Sequence, residues 1–211
     1  MNENIEELEI EGYQKERLAF DLEKNKTFRL VLFLPMPIIF IFGLLYYFIW
    51  ISGASIENIF DNSLTVSLLS QTDFYIFVCM GSFLLGIAIH ELIHGIFFAK
   101  YAKNGFKSIK FGILWKVLAP YCHCKEPLTV QQYLTAVIMP TIILGIFPAI
   151  IALFIGDALL LIFGMIFTFA GAGDMLIFYS LRKANKTDLI MDHPSEIGCY
   201  LFRKTNENFE N

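Results

Sequence analysis

Positive charge is scarce in this chain. The 211 residues hold 16 Lys and Arg against 20 Asp and Glu, a formal net charge of −4. A surface with no cationic excess cannot neutralise a phosphate backbone, so nucleic acid is excluded as a partner. Residues 52–73 and the pair 156–157 contain no Lys or Arg at all. Cysteine is sparse too, with four residues at 79, 122, 124 and 199. None of them stands in C-x-x-C spacing, and three fall in segments read below as cytosolic, so a disulfide framework is not expected. A short basic opening is also missing. About 27 polar, acidic-rich residues precede the first apolar run, so no cleavable signal is expected. No internal repeat is visible.

Apolar sequence is abundant. Hydrophobic residues make up 56% of the chain, 22 of them Phe, with a mean hydropathy of +0.58. The excess lies in long blocks, which points to a polytopic membrane protein. The expected fold class is all-α with four transmembrane helices, at about 30–51, 74–99, 132–155 and 158–181. Each is long enough to cross about 30 Å of hydrocarbon. Residues 1–29 form a cytosolic N-terminal segment, either an amphipathic surface helix or a solvated tail. Residues 30–181 form the membrane domain, and 182–211 a cytosolic C-terminal tail with a strand-like run, I-G-C-Y-L-F. Between the second and third spans, 106–111 and 112–119 read as two short strands of a hairpin, with Pro120 as the stop. All the Lys and Arg lie in 1–29, 100–129 and 182–211, so the positive-inside rule puts both termini and the 100–129 loop in the cytosol. The setting is then the cell membrane, crossed several times.

Within the second span stands I-A-I-H-E-L-I-H-G-I-F-F, residues 87–98. His90 and His94 are four apart, one helical turn, and so share a face; Glu91 follows the first. Two imidazoles set this way can grip one metal ion, with the glutamate in reach of its water, the H-E-x-x-H arrangement of zinc hydrolases. Ionisable groups at membrane depth are costly and usually functional. The plainer reading makes both histidines polar glue between helices, which leaves Glu91 without a purpose. At about 1.5 Å per residue, His94 and His90 lie roughly 9 and 15 Å inside Lys100, and Asp174 roughly 12 Å inside Arg182. Both helices meet the cytosol at their C-terminal ends, so the lone aspartate of the fourth span shares the histidines' level. Asp174 is therefore the expected third ligand, ahead of Asp157, His123, Glu126 and His193. Gly171, Ala172 and Gly173 before it offer little bulk, so the fourth helix can approach the second closely. Two imidazoles and one carboxylate leave a fourth position for water, the catalytic zinc pattern. Cys122, His123 and Cys124 lie on alternate faces of a strand, which suits no shared metal.

With His90–Glu91–His94 and a distant intramembrane Asp174, the chain resembles site-2 type intramembrane zinc metalloproteases. It resembles more closely a small bacterial family of zincin peptidases, formerly labelled a domain of unknown function. That likeness runs from about 74 to 202, through H-E-L-I-H, C-H-C-K-E-P-L, the G-D of the fourth span and D-H-P-S-E-I-G. It implies Zn²⁺ held by His90, His94 and Asp174, and Glu91 as the base. The expected function is a zinc-dependent metallopeptidase hydrolysing membrane-embedded or tethered proteins. Site-2 proteases carry their aspartate in a D-G motif, whereas here Gly173 precedes Asp174 and Met175 follows. The strand pair between the second and third spans is read either as an edge for extended substrate or as a plug against lipid. A metal or proton transporter, or a non-catalytic metal-binding scaffold, remains the alternative on the same residues. Partners are a membrane protein or peptide substrate and the lipid bilayer; oligomeric state is not legible.

Overall fold

The computed structural model describes residues 13–19, 25–52, 72–114, 119–193 and 198–204. In chain order these form β1 (Tyr13–Ala19), α1 (Asn25–Phe33), α2 (Met36–Tyr46), α3 (Thr72–Tyr101), β2 (Ile109–Leu114), β3 (Ala119–Cys124) and β4 (Leu128–Thr129). There follow α4 (Val130–Pro140), α5 (Phe147–Ile155), α6 (Ala158–Ala170), α7 (Ala172–Leu181), β5 (Leu189–Asp192) and β6 (Gly198–Lys204). Helix α2 runs on into a π-helical turn, Tyr47–Ile51, and a second such turn, Thr141–Ile146, joins α4 to α5. The expected connection at 53–71 and the stretch 194–197 lie outside the described residues.

Three stretches are long and apolar enough to cross a membrane: Arg29–Ile51, Met80–Tyr101 and Val130–Ile155. The expected fourth span is not one straight helix. It is α6 and α7, bent by 50° at Gly171. Thirteen and ten residues are each too short to cross alone, at about 1.5 Å per residue. Gly171 stands at the bend. A Cβ there would lie 2.0 Å from Thr141 Oγ1, so the close approach tolerates only glycine.

The chain groups into two compact units, residues 1–34, 91–140 and 172–211 in one and 35–90 and 141–171 in the other. Among its described residues the second unit holds helices joined by short turns and no strand, and small side chains let those helices approach. A Cβ on Gly164 would meet the Gly145 carbonyl at 2.6 Å, and one on Gly86 would enter the Phe167 ring at 2.2 Å. Gly86 of α3 thus receives the Phe167 ring of α6. At the far end of the unit Trp50 Nε1 donates to the Leu153 carbonyl and Tyr46 Oη to that of Gly156.

The first unit is where an all-α description fails. It holds a four-stranded antiparallel sheet ordered β1-β6-β5-β4 and a separate β2–β3 hairpin. The N-terminal segment expected as helix or tail supplies β1 instead. Cys199 and Leu201 of β6 face one buried cluster while Phe202 and Tyr200 join another, so both faces of β6 are covered. Its remaining edge needs a partner, and β1 pairs with it over its full length, Tyr13 opposite Lys204 and Ala19 opposite Gly198. Tertiary pairing overrides the local preference of a charged, breaker-free segment. The hairpin exists as expected, but it starts and ends later. Phe106 falls in a 3₁₀ turn, Gly105–Ser108, and Pro120 lies inside β3, opposite Ile113, rather than stopping it.

Candidate metal centre

Both histidines lie on α3, which runs unbroken for 30 residues, so their spacing is fixed by the helix itself. His90 and His94 are 8% and 7% exposed. Glu91 is half-buried between them in sequence, and its charge reaches His94 and Cys122. Asp174 stands in the first turn of α7, just after the bend, with its side chain 19% exposed. Ligand atoms of His90, His94 and Asp174 all lie within 4.8 Å of one another. Among the described residues this is the one group of three or more His, Cys, Asp or Glu so gathered.

The orientation of His94 is set by a carbonyl. Its Nδ1 lies 3.0 Å from the backbone oxygen of Ala136 on α4. A carbonyl only accepts, so Nδ1 carries the hydrogen and donates. The carbonyl is available because the residue four positions on is Pro140, which has no N–H to offer it. That tautomer leaves the lone pair on Nε2, which faces Asp174 Oδ2 at 3.4 Å. With Nε2 deprotonated, its lone pair and the carboxylate oxygen repel at that range unless a cation lies between them; a proton on Nε2 makes the same contact a charge-assisted hydrogen bond. The distance also suits shared coordination: two bonds of about 2.0–2.1 Å at a tetrahedral angle put their donor atoms roughly 3.3 Å apart. Two imidazole nitrogens and a carboxylate are a fitting donor set for a first-row divalent ion such as zinc. A histidine whose other nitrogen donates to a backbone carbonyl is the usual form of a metal-ligating imidazole.

The weaker ligand candidates are engaged elsewhere. Asp157 caps α6, accepting from the Leu160 N–H at 2.9 Å. Glu126 accepts from Ser108 Oγ at 2.7 Å. His123 faces Asp192, and His193 packs its ring on Tyr200.

Residues 83–189 match the sequence model of a family described as "Putative zincin peptidase". The match spans half of the chain and contains all three candidate ligands and Glu91. The chain belongs to this family. No curated protein and no solved structure matches it. The stretch matched takes in the H-E-x-x-H segment, the hairpin and the bend at Gly171.

Sequence reasoning missed a second layer of residues in this family member. Asp192, at the end of β5, is buried beside α4, just beyond the matched stretch. Its Oδ1 accepts from Tyr133 Oη at 2.5 Å and its Oδ2 from the Cys124 N–H at 2.8 Å. His123 Nδ1 lies 3.7 Å from the same Oδ2. Burial raises the Asp192 pKa, and nearby His123, the Tyr133 hydroxyl and the Cys124 amide pull against it. Burial pushes the thiols of Cys124 and Cys199 up to about 12, which makes them poor nucleophiles and poor metal ligands at neutral pH. The available signal for Asp192 was D-L-I-M-D, residues 188–192, an apolar triplet between acids that suits a short buried strand.

Proposed function

We propose that this protein is a zinc-dependent peptidase of the cell membrane that hydrolyses peptide bonds of membrane-embedded or membrane-tethered polypeptides. In this reading His90, His94 and Asp174 hold the ion and Glu91 is the base. The observation that carries it is the convergence of three N and O donors within 4.8 Å, on helices of membrane-spanning character, in a member of a zincin peptidase family. The distribution of Lys and Arg supports a site entered from the cytosolic side, with both termini on that side.

Zinc at such a site supplies Lewis acidity, polarising a carbonyl and bringing the pKa of water toward about 7. The residues do the rest. The Glu91 carboxylate accepts a proton from the attacking water as the new C–O bond forms at the scissile carbonyl carbon. It returns that proton to the amide nitrogen as the C–N bond breaks, so the products are a carboxylic acid and an amine. The Ala136 carbonyl keeps the hydrogen of His94 on Nδ1 throughout. The buried surroundings of both histidines limit bulk water, which strengthens every charge interaction there.

Purified full-length protein, reconstituted with zinc and a set of membrane-anchored peptides, tests the reading. Glu91→Gln should retain zinc while hydrolysis falls about 10²–10⁴-fold, the range for a lost general base. Equal cleavage by wild type and Glu91→Gln, or none by wild type across diverse anchored peptides, would overturn it.

A further inference from the structure

The ring of Tyr133 and the carboxylate of Asp192 lie outside the proposed ligand set, yet both connect to it. Tyr133 is one helical turn before Ala136 on α4, and Ala136 supplies the carbonyl that receives His94 Nδ1. The Tyr133 ring packs on Phe98 with centroids 5.5 Å apart, and Phe98 stacks on His94 at 6.1 Å with planes 21° apart. Two routes therefore run from one phenol to one imidazole, through the helix backbone and through the ring stack. The free end of that phenol is held by Asp192 at 2.5 Å. Asp192 is held in turn by β5, which pairs with β6 through Asp192 opposite Cys199, and by the Cys124 amide of the hairpin.

Burying a carboxylate is costly, and it persists only where hydrogen bonds compensate it. Asp192 is 9% exposed and Tyr133 is 3% exposed. An apolar pair of similar volume would fill the same space at lower cost. What it would not provide is a directional bond fixing the rotation of α4 and the height of the Tyr133 ring.

We propose that Asp192, acting through Tyr133, is a positioning residue for His94: it fixes the Ala136 carbonyl and the Phe98 ring against which the imidazole is set. The four-stranded sheet then has a purpose at the membrane site. It carries the carboxylate that locks a histidine two elements away. Neither residue touches substrate or ion. This rests on the peptidase reading only for the identity of the ion, since the orientation of His94 exists without one.

The test uses purified full-length protein in detergent, stripped of metal, with Tyr133→Phe, Asp192→Asn and the double variant. Tyr133→Phe keeps the ring and removes only the hydroxyl, so it remains informative even if Asp192→Asn fails to fold. Circular dichroism establishes which variants retain helix content. Titration with Zn²⁺ alone should show each single variant weakened about 10–100-fold, the range for lost partners of a metal-bound histidine. The double variant should be no weaker than the worse single, because the two act as one unit. In the same metal-free samples, ¹⁵N-histidine spectra assigned with His94→Gln report the tautomer directly. At a pH where His94 is neutral, wild type should show its hydrogen on Nδ1, and the variants a mixture. Folded variants with wild-type Zn²⁺ affinity and an unchanged His94 spectrum would overturn the proposal, as would fully additive losses. If wild type itself takes up no Zn²⁺, the peptidase reading fails, and the His94 spectra still decide this one.

Discussion

His123 faces Asp192 and does not belong to the ligand set, and its environment bears on how the fold responds to acid. Burial lowers its pKa from 6.5; Asp192 opposes this, while Lys110, Lys125 and His193 add to it. A histidine with a depressed folded-state value binds fewer protons folded than unfolded. Its contribution to stability is present above 6.5 and is lost as pH falls through the folded-state value. Melting temperature should therefore drop below pH 6.5 in wild type and drop less in His123→Gln. An identical pH profile in both would show that His123 carries none of the dependence. At this scale the nearness of His90 to His94 was legible from spacing, and that of Asp174 from its depth on a different helix. Tyr133 and Asp192 were not, because their pairing spans 59 positions and needs the tail strands in place first. A carboxylate after an apolar triplet says that something is buried, not against what.

Among the elements, α4 does more than open an apolar stretch long enough to cross a membrane. Proline inside a helix removes one hydrogen bond and leaves the carbonyl four residues earlier to find another partner. Here Pro140 leaves Ala136, and His94 is the partner. Pro140→Ala restores an N–H that competes for that oxygen. The expected outcome is a helix no less stable than wild type, but weaker Zn²⁺ binding by about tenfold, read by titration of metal-free protein. Unchanged affinity would show that the carbonyl serves both donors or neither. Pro140 in an apolar run signals a lost helix hydrogen bond, and a π-helical turn, Thr141–Ile146, follows it, but the pattern does not say which side chain collects the released carbonyl. The hairpin was legible as two short apolar runs and displaced in register, since alternation over five or six residues does not separate a 3₁₀ turn from a strand end. The strand β1 was hidden altogether. Its pattern of charge reads as helix until the open edge of β6 is known. The bend at Gly171 was readable only as small residues; the close approach of Thr141 to Gly171 is not legible without the fold.

For the molecule as a whole, charge carries the proposed topology. Every Lys and Arg lies in segments that the proposal puts on one side, and 52–73 and 156–157 have none. Single cysteines placed in 52–73, in a background without the native four, should react with an impermeant maleimide added to intact cells. Cysteines placed at Lys103 or Lys186 should react only after permeabilisation. The reverse pattern would invert the orientation and move the proposed site to the outer side. Membrane character was the most legible property of the chain because it is a matter of composition and run length. The division into a sheet-bearing unit and a helical one was not, since it depends on long-range strand pairing.

The account depends on two imidazoles and one carboxylate sharing a single ion, and metal analysis of purified protein addresses that directly. Wild type and Glu91→Gln should each carry about one zinc per chain, while His94→Ala and Asp174→Ala should each carry less than about a tenth of that. Zinc retained in full by Asp174→Ala, or absent from wild type purified without chelator and resupplied with Zn²⁺, would contradict it.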